Sequence, residues 1–313
     1  MRENELLDHV YRRSADLLLG WPAVVVGPGD DCAVIREAGG GLTLLKVDQL
    51  VEGRHYRRGT EQSSIARKAI ARPLSDIAAM AGVPRAALVA AVLPEDYAGA
   101  NELFDHLSWA SRGLGCPLVG GDIASAPAGS PLVLSVTVVG EPHATRGPVL
   151  RHGARPGDGV YVSGRLGGSF EEATGGGRHL TFEPRVELAT RLADRFDKGL
   201  SAMMDLSDGL GMDGERLGRA SGVGLRIDLD RVPRHADARG PLSVLGDGED
   251  YELLFTAQAG MAVPDTLAGV ELTRIGDVVE GGGCRVLYNG VWREAGGFGF
   301  EHGSGIGSGR EEP

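Results

Sequence analysis

Seven aspartates in five short, mostly glycine- or serine-bearing motifs constrain this chain more than any other feature. Asp30 and Asp31 stand in Gly-Asp-Asp at 29–31, Asp48 in Val-Asp-Gln-Leu-Val-Glu-Gly at 47–53, and Asp76 in Leu-Ser-Asp-Ile-Ala-Ala-Met at 74–80. Asp122 closes Gly-Gly-Asp at 120–122, while Asp205 and Asp208 share Asp-Leu-Ser-Asp-Gly-Leu at 205–210. Carboxylates gathered by folding raise one another's pKa values or require cations. A hard, oxygen-liganded ion such as Mg2+ meets that need, and it commonly shares its remaining positions with waters and a substrate phosphate. Such chemistry is phosphoryl transfer from a nucleotide.

A chain of 313 residues, 42% hydrophobic but only 5% aromatic, has length for two domains or one large one, with a core packed by aliphatics and alanine. Its 50 glycines exceed the average usage of about 7% and are dispersed, which implies many tight loops. A formal charge of −11 argues against nucleic acid or an anionic membrane as the main partner. Cys32, Cys116 and Cys284 lie far apart with no paired spacing, so neither a disulfide framework nor a zinc site is expected, and a reducing cytoplasmic setting fits. Arg2, Glu3, Asp8, Arg12 and Arg13 interrupt the N-terminus, and no apolar run approaches a membrane span.

Apolar spacing predicts a helix over 3–19, strands at 32–36 and 42–48 joined through Gly39-Gly40-Gly41, and a helix over 61–81 that Pro73 kinks or breaks. A buried strand at 86–93, a helix over 97–113 and strands at 117–121 and 131–140 complete an α/β first half. A polar, Gly/Pro-rich stretch at 151–158 reads as a linker. A strand at 159–163, a glycine-rich loop to 177, helices near 183–196 and 209–220, and strands near 224–228, 251–256, 270–276 and 285–288 follow. The tail 303–313 is expected to be disordered.

Each motif has a plain alternative. Gly29-Asp30-Asp31 suits an ordinary turn, His55 a solvated loop, and Gly120-Gly121-Asp122 a strand-end turn or a phosphate cradle after the buried strand 117–119. Ser207 or Asp208 suits a helix N-cap, and the acids of Gly248-Glu249-Asp250-Tyr251-Glu252 a solvated loop. Asp76 is different: it interrupts an apolar helical stretch, where a charge must be paired, metal-bound or at the helix edge. The P-loop, dinucleotide, protein-kinase and GxSxG signatures are missing, so a nucleotide must be held another way.

Taken in order, these motifs, with Leu50–Tyr56, Leu150–Asp158 and Gly248–Phe255, resemble the thiamine-monophosphate kinase family. That family belongs to the superfamily of aminoimidazole ribonucleotide synthetase and selenophosphate synthetase. The resemblance implies an α/β (α+β) fold: an N-terminal α/β domain, 1–148, lending strands to an intersubunit β-barrel, then a C-terminal α/β domain, 149–302. It implies a homodimer that phosphorylates thiamine monophosphate to thiamine diphosphate by direct in-line transfer from ATP, with several Mg2+ ions. Asp30, Asp31, Asp48, Asp76, Asp122, Asp205 and Asp208 would hold metal. Gly121, Asp122, Arg151 and Ser207 would contact the nucleotide, and His55, Glu249 and Phe300 the thiamine phosphate. Asp208, Arg151 and Lys46 would act in catalysis.

This chain departs from the family pattern at several points. Lys46 and Val47 stand where the family has hydroxyl side chains before Asp48, Pro73 replaces an Asn and Ile123 a Thr. Lys46 either supplies a fixed cation toward the phosphates or is a strand-end surface lysine. Fewer Mg2+ ions than in a typical member are expected. The rival readings are a superfamily kinase acting on another small phosphorylated substrate and a non-catalytic nucleotide-binding paralogue.

Overall fold

The computed structural model describes residues 3–14 and 16–298, and the tail expected at 303–313 lies outside them. Two short helices, α1 (Glu3–Arg13) and α2 (Leu17–Gly20), precede strands β1 (Val24–Val26), β2 (Ala33–Arg36) and β3 (Leu42–Val51). Next come α3 (Gln62–Ala79), β4 (Gly82–Pro94), α4 (Ala100–Gly113), β5 (Leu118–Ala126) and β6 (Val133–Pro142). These strands form one mixed sheet ordered β1-β2-β3-β6-β4-β5, in which only β4 and β5 run parallel. The β2–β3 hairpin turns through Gly40, whose φ of 87° favours a residue without a Cβ.

The second half opens with β7 (Gly159–Ser163), α5 (Val186–Phe196), β8 (Leu200–Asp205), α6 (Leu210–Ser221) and β9 (Gly224–Asp228). It ends with β10 (Leu253–Ala257), β11 (Thr266–Leu267), β12 (Val270–Val279), β13 (Cys284–Tyr288) and β14 (Val291–Glu294). Its sheet runs β14-β13-β9-β12-β7-β10-β8, with β11 beside β12. The chain is therefore two α/β halves, each built on a mixed sheet.

Alternation places β3's Leu44 and Leu50 inward, as it does Ala87, Val89 and Ala91 of β4 and Leu134, Val136 and Val138 of β6. Those residues pack on α3 through Ile65, Ala69, Ile70, Leu74 and Ile77. A second core joins the β7–β13 sheet to Leu210 and Leu217 of α6. A third is shared: Ala78, Ala79, Ala81 and Val149 pack with Leu188 and Leu192 of α5, Met203 of β8 and Phe255 of β10. Of the kink or break expected at Pro73, the break does not occur: α3 continues through it. A mid-helix proline costs about 3 kcal/mol locally; burial of thirteen residues of this helix outweighs it.

Candidate active site

Along β3, side chains two apart share a face, so Lys46 and Asp48 lie on the helix-covered side with Leu44 and Leu50. Asp76 comes from the last turns of α3, Asp205 from the final residue of β8, and Asp31 from the turn entering β2. Asp31, Asp76 and Asp205 each offer an oxygen within 4.8 Å of the others, and all three are buried. Among the described residues no other three His, Cys, Asp or Glu side chains group this way. Arg151 Nη2 donates to Asp31 Oδ1 at 2.5 Å, Lys46 Nζ to Asp76 Oδ1 at 2.8 Å, and Ser75 Oγ to Asp205 Oδ2 at 2.7 Å. Asp31 Oδ2 stays buried without a hydrogen-bond partner. Asp30 accepts the backbone N–H of Arg151 at 3.1 Å and lies beside the triad.

Burial and the neighbouring Asp31 push Asp205 up to about 7 and Asp30 up to about 6. Burial raises Asp76 well above the usual carboxylate range in spite of Lys46. Burial works against the Lys46 ammonium, yet Asp76 and Asp48 together raise its pKa. Two fixed cations thus leave the carboxylates short of positive charge. The orphaned Asp31 oxygen and an all-oxygen donor set fit a hard divalent ion such as Mg2+.

A second polar cluster adjoins the first. His55 Nδ1 accepts the N–H of Val51 at 2.9 Å, which leaves the ring proton on Nε2. Burial, then the charge of Arg72, lowers its pKa to about 3, so the imidazole is neutral. Arg72 also pairs with Asp48 and donates to Gln49 O. Glu249 sits in a loop where Gly248, Glu249 and Tyr251 all have positive φ, a cost of order 1–3 kcal/mol for each non-glycine. Backbone bonds hold that loop: Glu249 N–H to Ser207 O at 2.7 Å and Tyr251 N–H to Leu206 O at 2.8 Å. Burial opposes ionisation of Glu249, but the Lys68 ammonium holds it down to about 2. Tyr251 stacks on Phe182 with ring centroids 3.9 Å apart.

Asp76 and Asp205 of the first cluster and His55, Arg72, Glu249 and Tyr251 of the second line one cleft of about 1580 Å³, which also takes in Asp30, Lys46, Asp48, Arg151, Ser207, Asp208 and Phe170. Ordinary small-molecule pockets hold roughly 300–1,000 Å³, so this one has room for two ligands. One end is acidic with two embedded cations; the other pairs a fixed carboxylate with aromatic faces.

The AIR synthase related protein N-terminal domain matches residues 29–141, and the corresponding C-terminal domain matches residues 155–289. Thiamine-monophosphate kinase of Rhodopirellula baltica is 35% identical over 298 residues, covering 88% of this chain and 89% of that protein. The chain belongs to the thiamine-monophosphate kinase family. The Caulobacter vibrioides member is 32% identical over 90% of this chain and 86% of its own length. AaThiL, solved in complex with AMPPCP and TMP, superposes with a TM-score of 0.78 at 30% identity, over 96% of this chain and 99% of that one.

Within this family frame, the fold collects most of the residues singled out in the sequence, but not all. Asp31, Asp76 and Asp205 converge, and Asp30, Asp48, Asp208, Lys46, Arg151, Ser207, His55 and Glu249 line the same cleft. Asp48 belongs to Arg72 and Asp208 to Arg216, so neither is in the triad. Gly120-Gly121-Asp122 is no strand-end turn. It lies inside β5, an edge strand exposed from 119 to 125, outside this chain's cleft. Asp122 therefore does not join the other acids within one chain. Ser207 and Asp208 do not cap α6 either. Gly209 is the N-cap residue, and buried Asp213 accepts the N–H groups of Asp208 and Gly209. Phe300 lies outside the described residues.

Lys68, Arg72, His179, Arg216 and Tyr251 escaped the sequence reading. Three of them sit in helices where a cation is unremarkable, and only the carboxylates they meet in the fold reveal them. Lys68 had one signal: a charge amid apolar Ile65, Ala66, Ala69 and Ile70.

Proposed function

We propose that the cleft transfers the γ-phosphoryl group of ATP to the phosphate of thiamine monophosphate, giving thiamine diphosphate and ADP. The observation that carries this reading is the pairing of two subsites in one cleft. The buried Asp31–Asp76–Asp205 triad with Lys46 and Arg151 suits polyphosphate and its metal. The anionic Glu249 beside Tyr251 suits the cationic thiazolium ring of thiamine. A phosphate oxygen of the acceptor forms the new P–O bond as the bond from the γ-phosphorus to the β-phosphate oxygen breaks, and ADP leaves with that electron pair. The attacking phosphate is already ionised at neutral pH, so no side chain need take a proton. Arg151 and Lys46 offset the repulsion between two anions, and positioning with electrostatics supplies most of the rate. Asp31, Asp76 and Asp205 would hold Mg2+, which screens phosphate charge when bound.

Lys46 stands as a tethered cation at Asp76, where the family pattern has a hydroxyl, and this supports a site with fewer divalent ions. Lys46→Thr is expected to raise the number of Mn2+ ions bound with a non-hydrolysable nucleotide, read by electron paramagnetic resonance. An unchanged stoichiometry argues against that role.

The homodimer is part of the same proposal. Leu45, Val47, Leu88 and Val92 leave an apolar sheet face in solvent, and the edge strand adds Val119 and Ile123. A second copy covering this face and edge completes a barrel and brings Gly121 and Asp122 to the neighbouring cleft. Three buried free cysteines suit a cytoplasmic setting. A coupled ADP-release assay tests the activity. Turnover with thiamine monophosphate supports it, turnover only with other phosphates favours a divergent kinase, and nucleotide binding without turnover favours a non-catalytic paralogue.

A further inference from the structure

Lys68 has no exposed side-chain surface, and it is absent from the cleft lining. A lysine so placed costs far more than a methionine of similar volume unless its charge is used. All three of its N–H donors are used, each by a different segment. Nζ donates to His55 O at 2.7 Å in the loop after β3, to His179 Nδ1 at 2.7 Å in the turn at 178–180, and to Glu249 Oε1 at 2.5 Å. His179 is buried and its Nε2 lies 3.2 Å from Gly175 O, so the ring proton sits on Nε2 and Nδ1 accepts from Lys68. Lys68 is then the ammonium that joins these parts.

We propose that Lys68 is a positioning residue for the organic acceptor: from behind the cleft it fixes the Glu249 carboxylate and the His55 loop, the two groups that receive the substrate's cationic ring. This rests on the assignment of Glu249 and His55 to the acceptor end of the cleft. The geometry favours such a role over mere filling of space. The segments joined come from both halves of the chain, and the Glu249 loop carries positive-φ strain that only firm anchoring maintains. Glu249 is left as a fixed anion whose orientation the substrate need not induce. Burial lowers the Lys68 pKa to about 8, with Arg72 acting in the same sense and Glu249 and Asp48 against it. The His55 loop faces the ammonium with a neutral ring, and His179 offers it the Nδ1 lone pair. The anchor is therefore lost as pH rises through about 8.

The test compares the full-length wild type with Lys68→Met, Lys68→Arg and Glu249→Gln. Calorimetry with Mg2+ measures thiamine monophosphate and a non-hydrolysable ATP analogue separately, and steady-state assays give kcat and KM from pH 6.5 to 9.5. Lys68→Met is expected to weaken thiamine monophosphate binding by tenfold or more while nucleotide affinity stays within twofold. The loss should appear mainly in KM, and the Glu249→Gln/Lys68→Met double variant should be no worse than the poorer single one. In the wild type KM for thiamine monophosphate should climb above about pH 8, and Lys68→Arg, charged throughout, should lose that limb. Equal loss of both ligands, additive single effects or a flat wild-type KM to pH 9.5 would overturn the proposal. If Lys68→Met does not fold, the wild-type and Lys68→Arg pH profiles decide alone. A wild type that binds nucleotide but no thiamine monophosphate would sink the functional reading itself, an outcome distinct from wild-type binding that Lys68→Met leaves intact.

Discussion

Asp31 accepts from Arg151 through one oxygen and keeps the other buried and unpaired, so it is both ion-pair partner and ligand-in-waiting. Asp31→Asn is expected to lower kcat/KM by about 10²–10³-fold, the scale of losing one preorganised charge, and to abolish Mn2+ binding at the triad. Thermal melting should stay level or rise, because the substitution relieves a crowd of like charges. A variant with near-normal kcat/KM would remove Asp31 from the metal site. His55 gives a pH prediction. Its pKa falls from 6.5 to about 3 in the fold, so between those values the unfolded chain binds more protons and stability rises with pH. The contribution is full above about pH 6.5 and drains away on acidification toward 3. Glu249, lowered from 4.5 to about 2, adds loss in the same direction at more acid pH. In urea unfolding, His55→Asn should flatten the acid limb by about 2 kcal/mol, a value reduced for partial exposure. The sequence singled out Asp76, Asp48 and Glu249, but not Arg72 or Lys68, which pair with the last two: a carboxylate in an apolar helix advertises itself, whereas Arg72 or Lys68 in a helix does not.

At the scale of elements, β5 is where sequence and fold part company. Two glycines before an aspartate suggest a turn, yet Gly121 serves a close approach: a Cβ there would lie 1.9 Å from Val89 O of β4. Gly121→Ala should destabilise the protein by about 1–3 kcal/mol through displacement of the edge strand. The measurement is a melting temperature several degrees lower, and an unchanged one would show that the strand shifts freely. Pro73 teaches the same lesson in reverse, since α3 runs on through it because nearly every side of the helix is buried. Most other elements were legible because their apolar period matched their final burial. The short β1 and β14 were not: three- and four-residue strands carry too few side chains for alternation to stand out.

For the whole molecule, the question is where Asp122 acts. It lies on an exposed edge beside an apolar sheet face, and within one chain it reaches no other member of the acidic set. If a second copy covers that face, Asp31→Asn and Asp122→Asn are each inactive alone, but mixing them after dissociation and reassembly should restore about a quarter of wild-type activity, since half the dimers then hold one intact site. No recovery would confine each cleft to its own chain. The sequence by itself determined two α/β halves, an acidic site suited to a phosphate-bound metal and the family, because periodicity and ordered short motifs are local. Only the tertiary structure decided which three aspartates meet, which acids already own a cation, and that a buried lysine stands behind Glu249 and the His55 loop. Those outcomes depend on distances of a few ångströms between segments up to about 180 residues apart, and Coulomb forces at that range answer to packing rather than to sequence spacing.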